Sequence, residues 1–474
     1  MQLRLTHHVF FILAVAAVLM NSIDTTIVAV AVPQLTTALD APLIWVAWTI
    51  TAYQMTQIIM LPIAGKLSDS LGRRQVFLFC VGMFCVGSLL CGLAPSIWFL
   101  VVARALQAVG GGGLMPSAVG IISDHYRQHR AQARGLFSSV LPIGGILGPN
   151  VGGFILEHWT WRDMFFINVP IAIVVFCGAL VLLRSEPTRT TSRHIDVPGI
   201  ALYGTALVLL LASLTVAGQD PSLWRDARLW APIFVSAGLL LLFFRYIRRA
   251  ADPVMDYRLV ARQPFLAANL YNLFFGAAVF GVSAFIPTYA VSHFGMSPLL
   301  SGAVLTPRSI SIILTSILAS LWLIRLGYRT PMLVGSALVT VMLLLLGTGW
   351  TEVHLGPVTL GGFWLLAAML TFGGAGLGLA NPASNNASLD LAPERAAALT
   401  GVRSMFRLTG GVLSVTGISL ALTFFPDRGQ GLSVVFGWLS LAMLVVVPLT
   451  LTIPDSARER RLQQVSLAEK PSHA

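Results

Sequence analysis

The sequence predicts an all-α membrane protein: two pseudo-symmetric six-helix bundles with two further transmembrane helices inserted between them. Three observations carry that prediction. Of 474 residues, 10% are charged and 56% hydrophobic, with a mean hydropathy of +0.81, whereas a soluble globular chain carries about 25% charged residues. The apolar sequence falls into fourteen runs, each long enough for a bilayer core of about 30 Å. One Gly/Pro pattern also occurs twice, once in each half. A soluble enzyme and a disordered chain are both excluded, because this few charges cannot solvate so large a surface.

The runs lie at 8–33, 42–64, 76–94, 96–122, 135–157, 164–183, 197–217, 228–247, 264–291, 298–324, 331–350, 357–384, 397–425 and 431–453. None requires a strand, and in lipid the helix satisfies every backbone group within one segment. The first run has the look of a signal peptide, with Arg4 before it and Ala14-Val15-Ala16 as a cleavage box. That box sits in mid-run, and the apolar stretch continues to Pro33, so a retained helix is expected. Cys80, Cys85, Cys91 and Cys177 all lie inside runs without acidic or histidine neighbours, as packing residues rather than metal ligands or disulfide partners.

Orientation follows from the basic residues. With both termini cytoplasmic, the inner loops and tails, counting Arg395 and Arg403, hold twenty-three of the 30 Lys and Arg residues. The outer loops hold Arg162, Arg225, Arg228 and Arg428, and the spans hold Arg104, Arg308 and Arg407. So uneven a split fixes the topology and favours an even number of spans. The net charge of +11 is scattered over short loops with no basic stripe among aromatics, so nucleic acid is not an expected partner.

The repeat matches Gly110, Gly112 and Pro116 to Gly376, Gly378 and Pro382. At the same offset, Gly135, Ser138, Gly144 and Gly145 match Gly401, Ser404, Gly410 and Gly411. Pro33 and the Gly72-Arg73-Arg74 turn match Pro287 and Gly327-Tyr328-Arg329 at a slightly shorter offset. The expected organisation is therefore a first bundle at 1–184, a linker with two extra spans at 185–250, a second bundle at 251–454 and a cytoplasmic tail at 455–474. Parallel repeats suit alternating access, with a site between the halves.

The loop after the second run reads Gly65-Lys66-Leu67-Ser68-Asp69-Ser70-Leu71-Gly72-Arg73-Arg74. A carboxylate four residues before two arginines, between glycines, makes a turn able to latch helix ends together. It also serves as an ordinary positive-inside loop. In the fifth run Gly144, Gly148 and Gly152 form a smooth face where another helix can approach closely. Pro149 cannot donate to Gly145 and bends the helix. With Gly153, these residues are the candidate moving seal; tight static packing is the alternative.

The loop decad resembles the inner-loop signature of the major facilitator superfamily. Arg104-Ala105-Leu106-Gln107-Ala108-Val109-Gly110 resembles its fourth-helix signature, with Ala108 where glycine is usual. The segment from Gly144 to Gly153 is similar to the fifth-helix signature of the antiporter branch. Asp24-Thr25-Thr26-Ile27-Val28-Ala29-Val30-Ala31-Val32-Pro33 resembles the first-helix motif of the fourteen-helix drug:proton antiporters (EmrB/QacA type), with Ala29 in place of the usual asparagine. Trp159-Thr160-Trp161-Arg162 and Phe166-Ile167-Asn168-Val169-Pro170 fit the same subfamily. The resemblance spans essentially the whole chain and implies the major facilitator fold, with fourteen spans, in the plasma (bacterial inner) membrane.

Charges at bilayer depth cost about 2.5–3.5 kcal/mol each on insertion scales and usually face a cavity or a partner. Counting about 1.5 Å per residue, Asp24, Arg104, Arg308 and Arg407 all fall roughly 13–15 Å from a helix end, near the midplane. In the fold that the resemblance implies, their helices border one central cavity. Asp24 is then the candidate proton carrier and Arg104 its electrostatic partner, with a static pair holding helices together as the alternative. Arg308 and Arg407 are candidates to restrain charge or meet an anionic group. Asn21, Gln54, Gln57, Asn269 and Asn272 are candidate neutral contacts in an apolar pocket, or else interhelical hydrogen bonds.

His125 and His129 have a metal-like spacing but no third ligand. No Walker, Gly-x-Ser-x-Gly or His-Glu-x-x-His motif occurs, so neither ATP-driven pumping nor hydrolysis is supported. The implied function is proton-coupled secondary active efflux of amphipathic, cationic or neutral small molecules, driven by the proton motive force without a cofactor or metal. The alternatives are an exporter of a lipid or anionic metabolite, and a non-transporting sensor or scaffold. Expected partners are the substrate, protons and membrane lipids, the latter at the Arg245–Arg262 loop; a periplasmic adaptor is left open.

Overall fold

A computed structural model describes residues 2–125, 140–183, 196–251, 253–355, 358–391 and 396–455. The protein is an all-helical membrane protein. Its long helices are α1 (Gln2–Ala38), α2 (Leu43–Leu71), α3 (Arg73–Gly92), α4 (Ile97–His125) and α5 (Val140–His158). They continue with α6 (Asp163–Leu182), α7 (Val197–Gln219), α8 (Ala227–Ile247), α9 (Phe265–Phe294) and α10 (Pro298–Ser320). The last four are α11 (Arg329–Gly347), α12 (Gly362–Asp390), α13 (Ala396–Leu422) and α14 (Arg428–Thr452).

Among the described residues, 12 helices are long and apolar enough to cross a membrane. The two long helices outside that set are α2 and α5. The middle of α2 carries Thr49, Thr51, Gln54, Thr56 and Gln57, and α5 has 19 residues, five of them glycine. Within the expected runs, α2 is helical over 43–64 and α5 over 140–157, residues 135–139 lying outside the described residues. One element was not expected: Glu352–Leu355 and Val358–Gly361 pair as an antiparallel hairpin before α12, with Glu352 opposite Gly361. Apolar residues alternate along it, Val353 and Leu355 on one strand and Val358 and Leu360 on the other, which suits a two-residue period.

The chain forms two compact units. The first comprises Met1–Val254, Ser283–Ala303 and Val415–Pro426; the second comprises Met255–Val282, Val304–Ser414 and Asp427–Ala474. In the first, α1 packs on α5 and α6, and α2 and α3 both pack on α4. Its core is apolar and closely filled: Phe77, Phe84 and Val81 of α3 meet Ala17 and Val18 of α1, Leu114 and Ile122 of α4, and Val175 of α6, all at most 1% exposed. Cys80 and Cys91 are buried and, like Cys85 and Cys177, free.

The inserted pair α7 and α8 pack on each other, and α7 also lies against α2. There Trp48 Nε1 donates to Thr215 Oγ1 (2.7 Å). One carboxylate fixes the start of this insert. Asp196 caps α7 by accepting from Gly199 N (2.9 Å), and also accepts from Tyr246 Oη of α8 (2.7 Å) and Val254 N (2.8 Å). Asp196→Ala removes a cap worth about 1 kcal/mol together with the acceptor shared by Tyr246 Oη and Val254 N. It is expected to lower the melting temperature in detergent by several degrees; an unchanged melting curve would refute this role.

In the second unit α12 packs between α10 and α11, and α14 packs on α9 and α11. Within α9, Ala277–Gly281 winds as a π-helix. A short helix, Tyr257–Ala261, is tied to α9 by Asn269 Nδ2 donating to Leu259 O (2.7 Å).

Candidate functional site

The first unit buries a polar cluster around Asp24 of α1, which is 0% exposed. Arg104 of α4 donates through Nη1 to Asp24 Oδ2 at 2.6 Å, an ion pair with both side chains essentially inaccessible. The other oxygen, Oδ1, accepts from Gln107 Nε2 (2.9 Å) and from Asn168 Nδ2 of α6 (3.0 Å). Ser88 of α3 accepts from both amides (3.1 and 3.2 Å) and donates to Phe165 O (3.0 Å). Residues of α1, α3, α4 and α6 thus join in one polar cluster, and each oxygen of the carboxylate accepts from α4 or α6.

Arg104 does not depend on Asp24 alone. Its Nη1 also donates to Gln107 Oε1 (2.6 Å) and its Nε to Thr49 O of α2 (3.2 Å). Its guanidinium carbon lies 4.0 Å from the centre of the Tyr53 ring and 5.6 Å from that of Phe165, within cation–π range. Tyr53 in turn donates to Asn21 Oδ1 (2.6 Å), one turn of α1 before Asp24. These neutral contacts orient the guanidinium beside the carboxylate.

The other residues singled out from the sequence are placed as follows. Gln54 is buried with Oε1 unpaired, and Gln57 is half-buried, its backbone set against Gly112 of α4. Asn269, Asn272, Arg308 and Arg407 belong to the second unit. Asn272 Nδ2 donates to Ala268 O (2.7 Å) and to Ser384 Oγ of α12 (3.3 Å), while its Oδ1 is buried without a partner. Arg308 is half-buried and, among the described residues, makes no ion pair.

Sequence reasoning missed Gln107, Asn168, Ser88 and Tyr53 as members of the Asp24 cluster. The first two stood inside the quoted motifs, and Gln107 follows Arg104 by three residues, hence on the same helix face. It also placed Arg403 in an inner loop. Arg403 instead lies inside α13, 9% exposed, where its Nη1 donates to Asn385 Oδ1 (3.1 Å) and its Nη2 to Asn381 Oδ1 (2.7 Å). The signal was present: Arg403 and Arg407 are four apart on one helix.

The loop decad forms a tight turn. Gly72 links α2 to α3 at φ 100°, a conformation that favours glycine. Arg74 Nη2 donates to Leu180 O of α6 (2.8 Å), and Arg73 lies over Gly120 of α4. The Asp69 side chain lies outside the described residues, as do residues 126–139 with His129, the His125 side chain, and most of the tail. Gly65 has open space around it. The glycine face of α5 meets α1: Gly144 sits on Ser22, Gly148 on Thr26 and Ile23, and Gly152 on Ile27. Gly153 faces Pro298 and Leu299, and Gly302 faces the Pro149 carbonyl. The second unit packs α13 on α9 in the same way, with Gly276 set against the Arg407 backbone and Gly410 against Leu273.

Comparison with known proteins bears on this architecture. The family model described as Major Facilitator Superfamily matches residues 14–414 and again residues 268–471. The multidrug transporter protein MdtP of Bacillus subtilis (strain 168) is 29% identical over 408 residues, 85% of this chain and 73% of that protein. The tetracenomycin C resistance and export protein of Streptomyces glaucescens is 30% identical over 426 residues, 88% and 77% of the two chains. Among solved structures, that of a peptide transporter POT superposes with a TM-score of 0.69 at 16% identity, covering 94% of this chain and 93% of its own. That likeness is one of fold.

Proposed function

We propose that this chain, which belongs to the Major Facilitator Superfamily and is a multi-pass plasma-membrane transporter, exports amphipathic small molecules in exchange for protons. The export direction is supported by relatives named for multidrug resistance and antibiotic export. In this reading α2 and α5 cross the membrane with the other twelve helices, giving fourteen spans with both termini cytoplasmic. The same reading takes bundles at 1–184 and 251–454, an insert at 185–250 and a tail at 455–474 as the repeat-based division, which differs from the compact units in assigning 283–303 and 415–426 to the second bundle.

The observation that carries the proton coupling is the Asp24–Arg104 pair and its neutral escort. When Asp24 takes a proton it loses its hold on Arg104, and Arg104 retains Gln107 Oε1, Thr49 O and the Tyr53 ring. The amides of Gln107 and Asn168 donate to Asp24 Oδ1, and a neutral carboxyl still accepts there. Protonation therefore breaks the charged contact and leaves Arg104 oriented by neutral groups that do not cancel its charge, a less stable arrangement that a change of conformation can relieve, as a reversible switch requires. The α2–α3 turn and the glycine face of α5 are the proposed moving parts: the turn reaches α4 and α6 through Arg73 and Arg74, and the glycine face brings α5 close to the α1 backbone, where small shifts change packing.

The test is export of a fluorescent amphiphile from energised cells of a pump-deficient bacterial strain. Cells expressing the protein are expected to retain several-fold less dye, and a protonophore is expected to abolish the difference. Equal retention with and without the protein would refute export. Export that survives the protonophore would refute proton coupling.

A further inference from the structure

The first unit pairs its buried arginine with a carboxylate, but the second holds a buried arginine, Arg403, and a half-buried one, Arg407, that have only neutral acceptors among the described residues. Arg403 and Arg407, one turn apart on α13, both donate to the same atom, Asn381 Oδ1 of α12, at 2.7 and 2.9 Å. Asn385 supplies a second amide oxygen to Arg403 at 3.1 Å. The Arg407 guanidinium carbon lies 5.2 Å from the centre of the Phe280 ring, inside the π-helical segment of α9. Among the described residues, neither arginine makes an ion pair. The Nε–H groups of both are buried without an acceptor.

Two guanidiniums held on one carbonyl oxygen repel each other, and burial in a membrane protein removes most of the water that would screen them. Neutral amides orient them without cancelling their charge. The unmet need is for a negative group with several acceptor lone pairs, and planar guanidinium forks meet carboxylates and phosphates bidentately. A π-helical turn beside such a cluster is a frequent mark of a functional site. The aromatic ring of Phe280 adds an apolar surface next to the charge.

We infer that Arg403 and Arg407, oriented by Asn381 and Asn385, form a binding site for the carboxylate or phosphate of an amphipathic anion. The inference rests on the transport reading for its meaning: an acidic amphiphile is the cargo this site fits, which favours the anionic alternative over the cationic or neutral cargo first expected from the sequence. The same chemistry is offered by the headgroup of an anionic lipid.

The experiment uses the full chain in nanodiscs of phosphatidylcholine, titrated with 1-naphthyl phosphate, 1-naphthoate, 1-naphthol and 1-naphthylmethylamine. The two anions are expected to bind and to raise the melting temperature, at least ten-fold more tightly than the alcohol or the amine. Arg403→Gln/Arg407→Gln is expected to lose that preference. Arg407→Lys, which keeps the charge but not the fork, is expected to weaken anion binding three- to ten-fold. Because the double variant removes uncompensated buried charge, it is expected to melt no lower than the wild type without ligand, so its loss of binding is readable. Nanodiscs containing phosphatidylglycerol separate the two sources. Competition by that lipid, with lipid retained by the wild type and lost by the double variant in native mass spectrometry, assigns the site to a headgroup. Binding that phosphatidylglycerol leaves unchanged assigns it to a soluble anion. Equal binding of all four probes, or unchanged anion binding in the double variant, overturns the site. A protein that binds the anions but exports nothing keeps the site and refutes the transport reading instead.

Discussion

Replacing Asp24 by asparagine is expected to abolish proton-coupled export and to destabilise the first unit by about 3–5 kcal/mol, the usual effect of removing one partner from a buried pair. The substituted amide would still accept through its oxygen, but the charge that faces Arg104 at 2.6 Å would be gone. The two losses have different causes, and a second variant separates them. Asp24→Asn/Arg104→Gln removes both charges and is expected to regain much of the stability, as measured by thermal unfolding in detergent, without regaining export against a protonophore-sensitive gradient. If the double variant restores proton-driven export, the pair is a structural clamp and the proton moves elsewhere. Its fully hydrogen-bonded geometry suits either role; only a readout of coupling distinguishes them.

The second large effect is expected from Gly148→Leu. A β-carbon there would strike Thr26 Oγ1 and lie 2.8 Å from the backbone oxygen of Ile23. The hydroxyl can rotate, but the carbonyl belongs to α1 and cannot withdraw without moving the helix. Overpacking of this kind costs about 1–3 kcal/mol and occasionally more. Here it also separates two helices whose association depends on close backbone approach. A sharp fall in folded yield and in melting temperature is expected. Gly238→Ala on α8 is the control: its added methyl meets nothing within 4 Å, and alanine is the better helix former. Equal behaviour of the two variants would mean that the α1–α5 contact is not a constraint.

The helical class and the positions of the long helices were legible in the sequence because lipid demands continuous apolar runs and punishes any other backbone. The glycine spacing in α5 likewise announced a close contact, and the structure supplied its partner, α1. The buried pair was anticipated from two isolated charges, since each had to find the other or a cavity. Asn269 was less legible. A polar side chain in a span signals a partner, and the one it has is a local carbonyl, Leu259 O, reached over a turn that no periodicity reveals.

What the sequence determined by itself is a local matter: which segments are helical, where they stop, and which few charges lie too deep to be solvated. Hydropathy and helix-breaking residues act over one or two turns, so a linear reading captures them. Only the tertiary structure decided who meets whom. It gave Asp24 two amides from α4 and α6 besides its arginine, and it drew Arg403 from an expected loop onto the same asparagine as Arg407. Charge compensation is settled between helices distant in sequence. A carboxylate at depth therefore has one meaning beside a guanidinium, and a guanidinium beside only neutral amides has quite another.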